Sequence, residues 1–366
     1  MSDDTVAATQ KSRVDGTNGE LLYHGYNILD LGENADFEEV AYLLWNNAYP
    51  NAEQLKAFDV ELKTLRLLPA AILTMLKGFP KEGSPIAVLR TAVSAMSLVD
   101  PEADNVNMAN SLDIAKKLTA VIPTIIAAWE RIRNGNEPIT PRSDLNHAAN
   151  FLYMFTGEEA SPEAVDAIDK YLVLLADHGF NASTYSARVT TSTMSDMYSA
   201  ITTAIGTLKG PAHGGATQAA MQQFIEAHDM GATEFFDMCM STGRRIMGIG
   251  HRVYKVEDPR AKILRPLAEK LAASHEQGYW FEVALGVENA ARANAYFIER
   301  NLFPNVDYYS APALYMLGIP MDSFTSMFAM SRVVGWTAHV LEQMEHNRLI
   351  RPIANYEGPT DLKIGG

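Results

Sequence analysis

An all-α fold is predicted, and three observations predict it. Apolar residues recur at helical spacing in nearly every patterned segment. Those segments begin with Ser or Asp, often followed by Pro, and stop at Gly. No alternating strand pattern, hairpin signature or internal repeat stands out against them.

The elements follow in order. "ADFEEVAYLLWNN" opens on Asp36 as N-cap with Glu39 three residues on, a capping box, and continues into an apolar face. "SPIAVLRTAVSAMSLV" has Ser84 as cap and Pro85 at the first helical position. "SLDIAKKLTAVIPTIIAAWERIRNG" reads as a long helix ending at Gly135, with a bend at Pro123. "SPEAVDAIDKYLVLLADHG" repeats the Ser-Pro start at Ser161 and Pro162 and stops at Gly179. "MSDMYSAITTAIGTLKGP" stops at Gly210-Pro211. "EDPRAKILRPLAEKLA" starts at Asp258 as N-cap, with Pro259 at the first position, Arg260 in the first turn and a bend at Pro266. "SFTSMFAMSRVVGWTAHVLEQMEHN" is long and apolar near the C-terminus. Gly and Pro cluster around 209–216 and 317–322, the two candidate boundaries, and the stretch between them reads as a smaller inserted domain.

Composition narrows the function class. The 366 residues are 47% hydrophobic and 20% charged, ordinary for a globular protein, with a net charge of -14. That balance argues against nucleic acid or an anionic membrane as the main partner, although local arginines still suit small anionic substrates. A single cysteine, Cys239, rules out an intrachain disulfide and suggests a reducing cytoplasm; its apolar surroundings in "FFDMCMS" make it a packed thiol. The polar start "MSDDTVAATQKSR" carries no signal pattern, and no apolar run is long enough to span a bilayer.

Chemically able side chains collect at helix breaks. In "KGPAHGGATQAAMQQF", His213 precedes a helix N-terminus, whose positive end favours a neutral ring able to donate to a carbonyl; a histidine satisfying the backbone of a tight turn is the plainer reading. "MGIGHRVYKVEDPR" gathers Gly248, Gly250, His251 and Arg260. It lacks the third glycine and the preceding strand of a dinucleotide loop, and reads either as an anion-binding wall or as a surface loop. In "FPNVDYYSAPALYMLG", Asp307 lies in a loop before a short helix capped by Ser310, a position that by itself suits a turn residue. His178 and Asn181 fall at a helix C-terminus in "LLADHGFNAST". Arg332 stands on an apolar helix face and needs an anion or carboxylate, and Arg351 follows that helix. His339, Glu342 and His346 share a face but match neither common helical metal motif, so no metal is expected.

Together "GPAHGGA", "MGIGHRVYKVEDPR" and "PNVDYYSA", in that order, resemble the citrate synthase family. The likeness extends through "YHGYNILDL", "DHGFNASTYSARV", "GWTAHVLEQ" and "NRLIRP", and covers residues 21 to 360. It implies a large helical domain (1–213 and 319–366), a smaller one (214–318) closing over a cleft between them, and an obligate homodimer. It implies condensation of acetyl-CoA with oxaloacetate and water to give citrate and CoA, with coenzyme A thioester as substrate and no cofactor. By resemblance Asp307 is the general base, His213 the neutral donor to the thioester oxygen, and His251 the donor to the oxaloacetate carbonyl. His178, Asn181, Arg260, Arg332 and, from the partner subunit, Arg351 would bind oxaloacetate. Met247, Gly248, Ile249, Gly250 and Lys255 would contact coenzyme A. The chain departs from the usual pattern at His24, Ala212, Thr217 and Ile249, where arginine, leucine, asparagine and an aromatic are common. The resemblance is to the short, simple dimeric type, for which the long N-terminal extension and regulation of the NADH-inhibited hexameric members are not expected. The alternatives are 2-methylcitrate synthase, which uses propionyl-CoA with the same residues, and a non-catalytic helical scaffold. An added methylene changes discrimination by only about 1–3 kcal/mol.

Overall fold

The computed structural model describes residues 7–364. Three short strands come first: β1 (Ser12–Asp15), β2 (Glu20–Tyr23) and β3 (Tyr26–Asn27). Then come α1 (Ile28–Asn34), α2 (Phe37–Asn46), α3 (Ala52–Thr64), α4 (Ala70–Lys77), α5 (Pro85–Met96), α6 (Met108–Arg133), α7 (His147–Thr156), α8 (Pro162–Leu175), α9 (Ala182–Ser192) and α10 (Met197–Leu208). After them lie α11 (Ala216–Met230), α12 (Ala232–Thr242), α13 (Ala261–Ala273), α14 (Tyr279–Ala293), α15 (Ala295–Glu299), α16 (Val306–Met316) and α17 (Phe324–Glu345), the last preceded by a 3-10 turn at Met321–Ser323. The class is all-α, as expected.

Local chemistry explains most boundaries. The Glu39 side chain accepts from the Asp36 amide at 2.8 Å, and the Ser161 hydroxyl from the Ala164 amide at 3.2 Å, each satisfying an orphan donor at a helix start. Pro85 and Pro162 occupy first-turn positions where no amide is needed. α6 runs unbroken past Pro123.

Four expectations need correction. A small antiparallel sheet exists, with Ser12 opposite Tyr23 and Leu22 opposite Asn27. Its second turn, His24-Gly25, has φ of 43° and 90°, the doubly positive pattern of a tight hairpin. α8 ends at Leu175, before Gly179, so His178 lies in the following loop and Asn181 begins α9 as its N-cap. α13 starts later than expected, with Arg260 rather than Asp258 as its N-cap. Asp307 is not in a loop: α16 is capped by Asn305, Asp307 sits in its first turn, and the Ser310 hydroxyl donates back to the Val306 carbonyl inside the helix.

α17 forms the axis of the core. Every residue from 323 to 341 is buried, as befits a helix surrounded on all sides by α2, α6, α8, α9 and α10. α11 to α16 form a second group in which α16 packs against α11, α13 and α14. The two groups meet where α13 lies on α8 and α11 on α17. Cys239 is buried in α12. No helix among the described residues is long and apolar enough to cross a membrane.

Candidate active site

The glycine loop is built by backbone pairing. The Gly250 amide donates to the Phe303 carbonyl at 2.7 Å, and the Asn305 amide donates to the Gly248 carbonyl at 2.8 Å. Asn305 Nδ2 donates to the Gly250 carbonyl at 2.8 Å, and the Met247 amide to Gln223 Oε1 at 2.8 Å. Gly248 and Gly250 have φ of +78° and +87°, which L-residues adopt only with strain. A Cβ on Gly248 would lie 3.0 Å from the Tyr308 Cα. These backbone groups therefore hold the loop against the start of α16 rather than pointing outward. Ile249 is buried and bridges Pro304, while Lys255 is exposed.

That pairing sets His251 beside His178 and Tyr254. The His178 and His251 ring centroids are 5.6 Å apart, His251 and Tyr254 are 4.8 Å apart, and Tyr254 Oη lies 3.1 Å from His178 Nε2. His251 Nδ1 accepts the amides of Val253 and Tyr254, each at 3.1 Å, so the neutral ring carries its proton on Nε2. Burial and the Arg260 charge push His251 down to about 4, and burial with Arg260, Arg332 and His251 holds His178 well below the usual range. Both rings are neutral at pH 7.

Arg260 is buried against Asp258, which accepts from Arg260 Nε at 3.0 Å and Nη2 at 2.8 Å. The same Oδ2 takes the Val306 amide at 3.3 Å, tying the start of α13 to the start of α16. Arg332 differs. It is 1% exposed, donates through Nε to the Leu175 carbonyl at 2.7 Å and stacks over Phe328 at 4.8 Å. No carboxylate lies within 4.0 Å of it among the described residues, and burial works against its charge. A buried cation with no ion-pair partner is costly, and such positions mark anion sites.

His213 lies just before α11, and its Nε2 is 2.8 Å from the Ser183 hydroxyl. That hydroxyl also takes the Trp336 indole N–H at 3.0 Å. Its other neighbour, Asn181 Oδ1, already accepts the amides of Ser183 and Thr184 at 3.1 Å. The one hydroxyl proton of Ser183 has two acceptors within reach, Asn181 Oδ1 at 2.8 Å and His213 Nε2 at 2.8 Å; directed to His213 it leaves the ring proton on Nδ1. Burial and Arg332 push His213 down to about 4. Asp307 is half-buried, accepts from the Thr217 hydroxyl, and is pushed above the usual carboxylate range by burial.

The structure thus brings His178, His213, His251, Asp307, Arg260 and Arg332 into one neighbourhood. Their charges act on each other: Arg332 on His213, His178 and Asp307, and Arg260 on His178, His251 and Asp307. A cavity of about 330 Å³ touches this group at His178 alone, and is otherwise lined by residues such as Ser12, Asn181 and Val253. Asn181 is a helix cap whose oxygen is occupied. Arg351 does not join them: it stands on the exposed C-terminal segment and lines a cavity of about 760 Å³ with Lys11, Arg188 and Glu342. His339 pairs with Asp177 at 3.1 Å, and no cluster of metal-ligating residues occurs among the described residues.

Sequence reasoning missed Tyr254, Ser183 and the pairing role of Asp258. An aromatic three residues after His251 carries no signal of its own. A serine two residues past a cap reads as ordinary helix. It also missed the sheet as a support: the Lys255 amide donates to the Gly16 carbonyl at 2.8 Å and the Gly179 amide to Ser12 Oγ at 2.9 Å, pinning both histidine loops.

The citrate synthase, C-terminal domain family matches residues 1–353. The citrate synthase of Haloferax volcanii is 47% identical over 363 residues, 98% of this chain and 94% of that protein. The 2-methylcitrate synthase 1 of Corynebacterium glutamicum is 40% identical, covering 97% and 94%. A crystal structure of the Thermoplasma acidophilum citrate synthase, in ternary complex with carboxymethyl coenzyme A and oxaloacetate, superposes with a TM-score of 0.92 at 34% identity, covering 99% of this chain and 96% of that one. On the family match and these near full-length relatives, the chain belongs to the citrate synthase family.

Proposed function

We propose that this enzyme condenses acetyl-CoA with oxaloacetate and water, releasing citrate and CoA. The observation that carries the reading is one neighbourhood of mutually interacting side chains that combines an unpaired buried guanidinium (Arg332), a half-buried carboxylate (Asp307) and two imidazoles kept neutral (His213 and His251). The higher-identity relative named above is a citrate synthase and the 2-methylcitrate synthase is more distant, which favours acetyl-CoA over propionyl-CoA.

In this reading Asp307 removes a methyl proton from acetyl-CoA. The C–H electron pair becomes the enol double bond, and the charge developing on the thioester oxygen is met by the His213 Nδ1–H. The enol carbon attacks the oxaloacetate carbonyl, whose oxygen takes a proton from His251 Nε2. Water then cleaves the citryl thioester. A neutral His213 suits the first step, because it can accept the Ser183 hydroxyl at Nε2 while Nδ1–H donates to the developing oxyanion. Burial raises the basicity of Asp307, as a carbon acid of high pKa demands. Acid–base participation of this kind contributes about 10²–10⁴-fold and an oxyanion donor about 10²–10³-fold. Arg260 and Arg332 would hold the two carboxylates of oxaloacetate, with His178 and Asn181 at the edge of its site and Arg351 reaching in from a second subunit. Coenzyme A would lie along residues 247–255, with Lys255 exposed for a phosphate. Domain closure is part of the reading: the helix-free junctions at 209–215 and 317–320 would hinge 214–318 over the remainder.

The test is thiol release from acetyl-CoA and from propionyl-CoA, each with and without oxaloacetate. Oxaloacetate-dependent release, faster with acetyl-CoA, is expected; none from either thioester sinks the enzyme reading. Asp307→Asn should lower turnover by about 10³-fold while oxaloacetate still binds. A near-normal rate removes Asp307 as the base.

A further inference from the structure

We infer that Thr217 is a positioning residue for the proposed base: its hydroxyl anchors Asp307 Oδ1 and leaves Oδ2 as the oxygen that takes the substrate proton. The inference rests on the condensation reading above, but its observations are separate. Thr217 is 2% exposed on the first turn of α11. Its hydroxyl donates to Asp307 Oδ1, and this is the one hydrogen bond that the Asp307 carboxylate makes among the described residues. Oδ2 has none. Arg260, Asp258 and Arg332 act on Asp307 through their fields, and Tyr171 on α8 feels its charge, but none of them bonds to it.

The chemistry of a threonine suits the task. One torsion sets the hydroxyl, and β-branching makes that torsion stiff. An amide side chain at this position would hang on two torsions. The anchor also spans elements. α11 carries Thr217 four residues after His213, and α16 carries Asp307 in its first turn. The hydrogen bond therefore joins the helix led by the enol-stabilising histidine to the helix bearing the base, so the two groups that act on acetyl-CoA move together. A near-attack geometry is lost by misplacement of about an ångström. A donor to the ionised carboxylate also opposes the desolvation that raises it, keeping more Asp307 ionised at neutral pH.

A buried threonine whose hydroxyl is merely satisfied would leave the acidity of the base untouched, so the pH profile is the readout. With saturating oxaloacetate, kcat/KM for acetyl-CoA is followed against pH by thiol release for wild type, Thr217→Val and Thr217→Ser. The valine variant should lose about tenfold in kcat at pH 7 and shift the acidic limb upward by about one pH unit. Oxaloacetate affinity by calorimetry should be unchanged, and the serine variant should keep the wild-type limb. Thr217→Ala, which also removes the hydroxyl, gives the same readout if the valine variant does not fold. An unmoved limb in variants lacking the hydroxyl overturns the inference even if their rate falls, because that outcome is a packing effect. Absence of oxaloacetate-dependent release by the wild type overturns the condensation reading itself and this inference with it.

Discussion

At the scale of single residues, burial governs both the site and a carboxylate far from its chemistry. Asp169 on α8 is 4% exposed; Oδ1 accepts the Phe37 amide at 3.2 Å and Oδ2 has no partner. Desolvation, with Glu38 and Asp36 nearby, pushes it up to about 8. A carboxyl raised in the folded state adds stability that is complete below its unfolded value, near 3.8, and fades as pH rises toward 8. Asp169→Asn keeps an acceptor for Phe37 and cannot ionise. It should be more stable than wild type at pH 8, by about 1–3 kcal/mol, and nearly equal to it at pH 4. Urea denaturation at the two pH values checks this, and a variant weaker than wild type at pH 8 contradicts it.

At the scale of elements, the glycine loop and α16 form one unit. The loop's composition was legible, and so were His251, Arg260 and Asp307 as candidates. Which backbone atoms faced which neighbour was not, because Phe303–Asn305 lie some fifty residues downstream and no local pattern reveals a pairing across that distance. The helix starts were misplaced for a related reason. Asp258 has the composition of a cap, yet tertiary packing turns its carboxylate onto the Arg260 side chain and the Val306 amide. The sheet escaped notice because β3 has two residues and its turn uses His-Gly rather than Asn-Gly. Gly248→Ala should destabilise by about 2 kcal/mol or more and lower kcat, since a Cβ at φ +78° meets the Tyr308 backbone beside Asp307. Gly250→Ala should cost less, because its added methyl meets only the tip of Leu302 at 3.1 Å. Denaturation of the two variants side by side decides the order, and the reverse order refutes the packing account.

At the scale of the whole molecule, one chain gathers His178, His213, His251, Asp307, Arg260 and Arg332, while Arg351 stays on an exposed segment. The proposed shared site predicts that Arg351→Ala weakens oxaloacetate binding by more than about tenfold, the loss of one charge-assisted carboxylate contact. Calorimetry on a variant shown by sedimentation to keep the wild-type oligomeric state measures it; unchanged affinity removes the shared site.

By itself the sequence determined the helical class, most helix cores and the family resemblance, with chemically able side chains at its motifs as candidates. Helical periodicity, capping residues and helix-breaking glycines are local signals, and chemically able residues at breaks stand out from the apolar faces around them. Only the tertiary structure decided that Arg260 pairs with Asp258 whereas Arg332 has no carboxylate, that His213 meets Ser183, and that Thr217 holds Asp307. Those facts depend on segments remote in sequence being packed into one neighbourhood, where burial and neighbouring charge, rather than residue type, set which groups are charged, which are neutral and which oxygen is free to act.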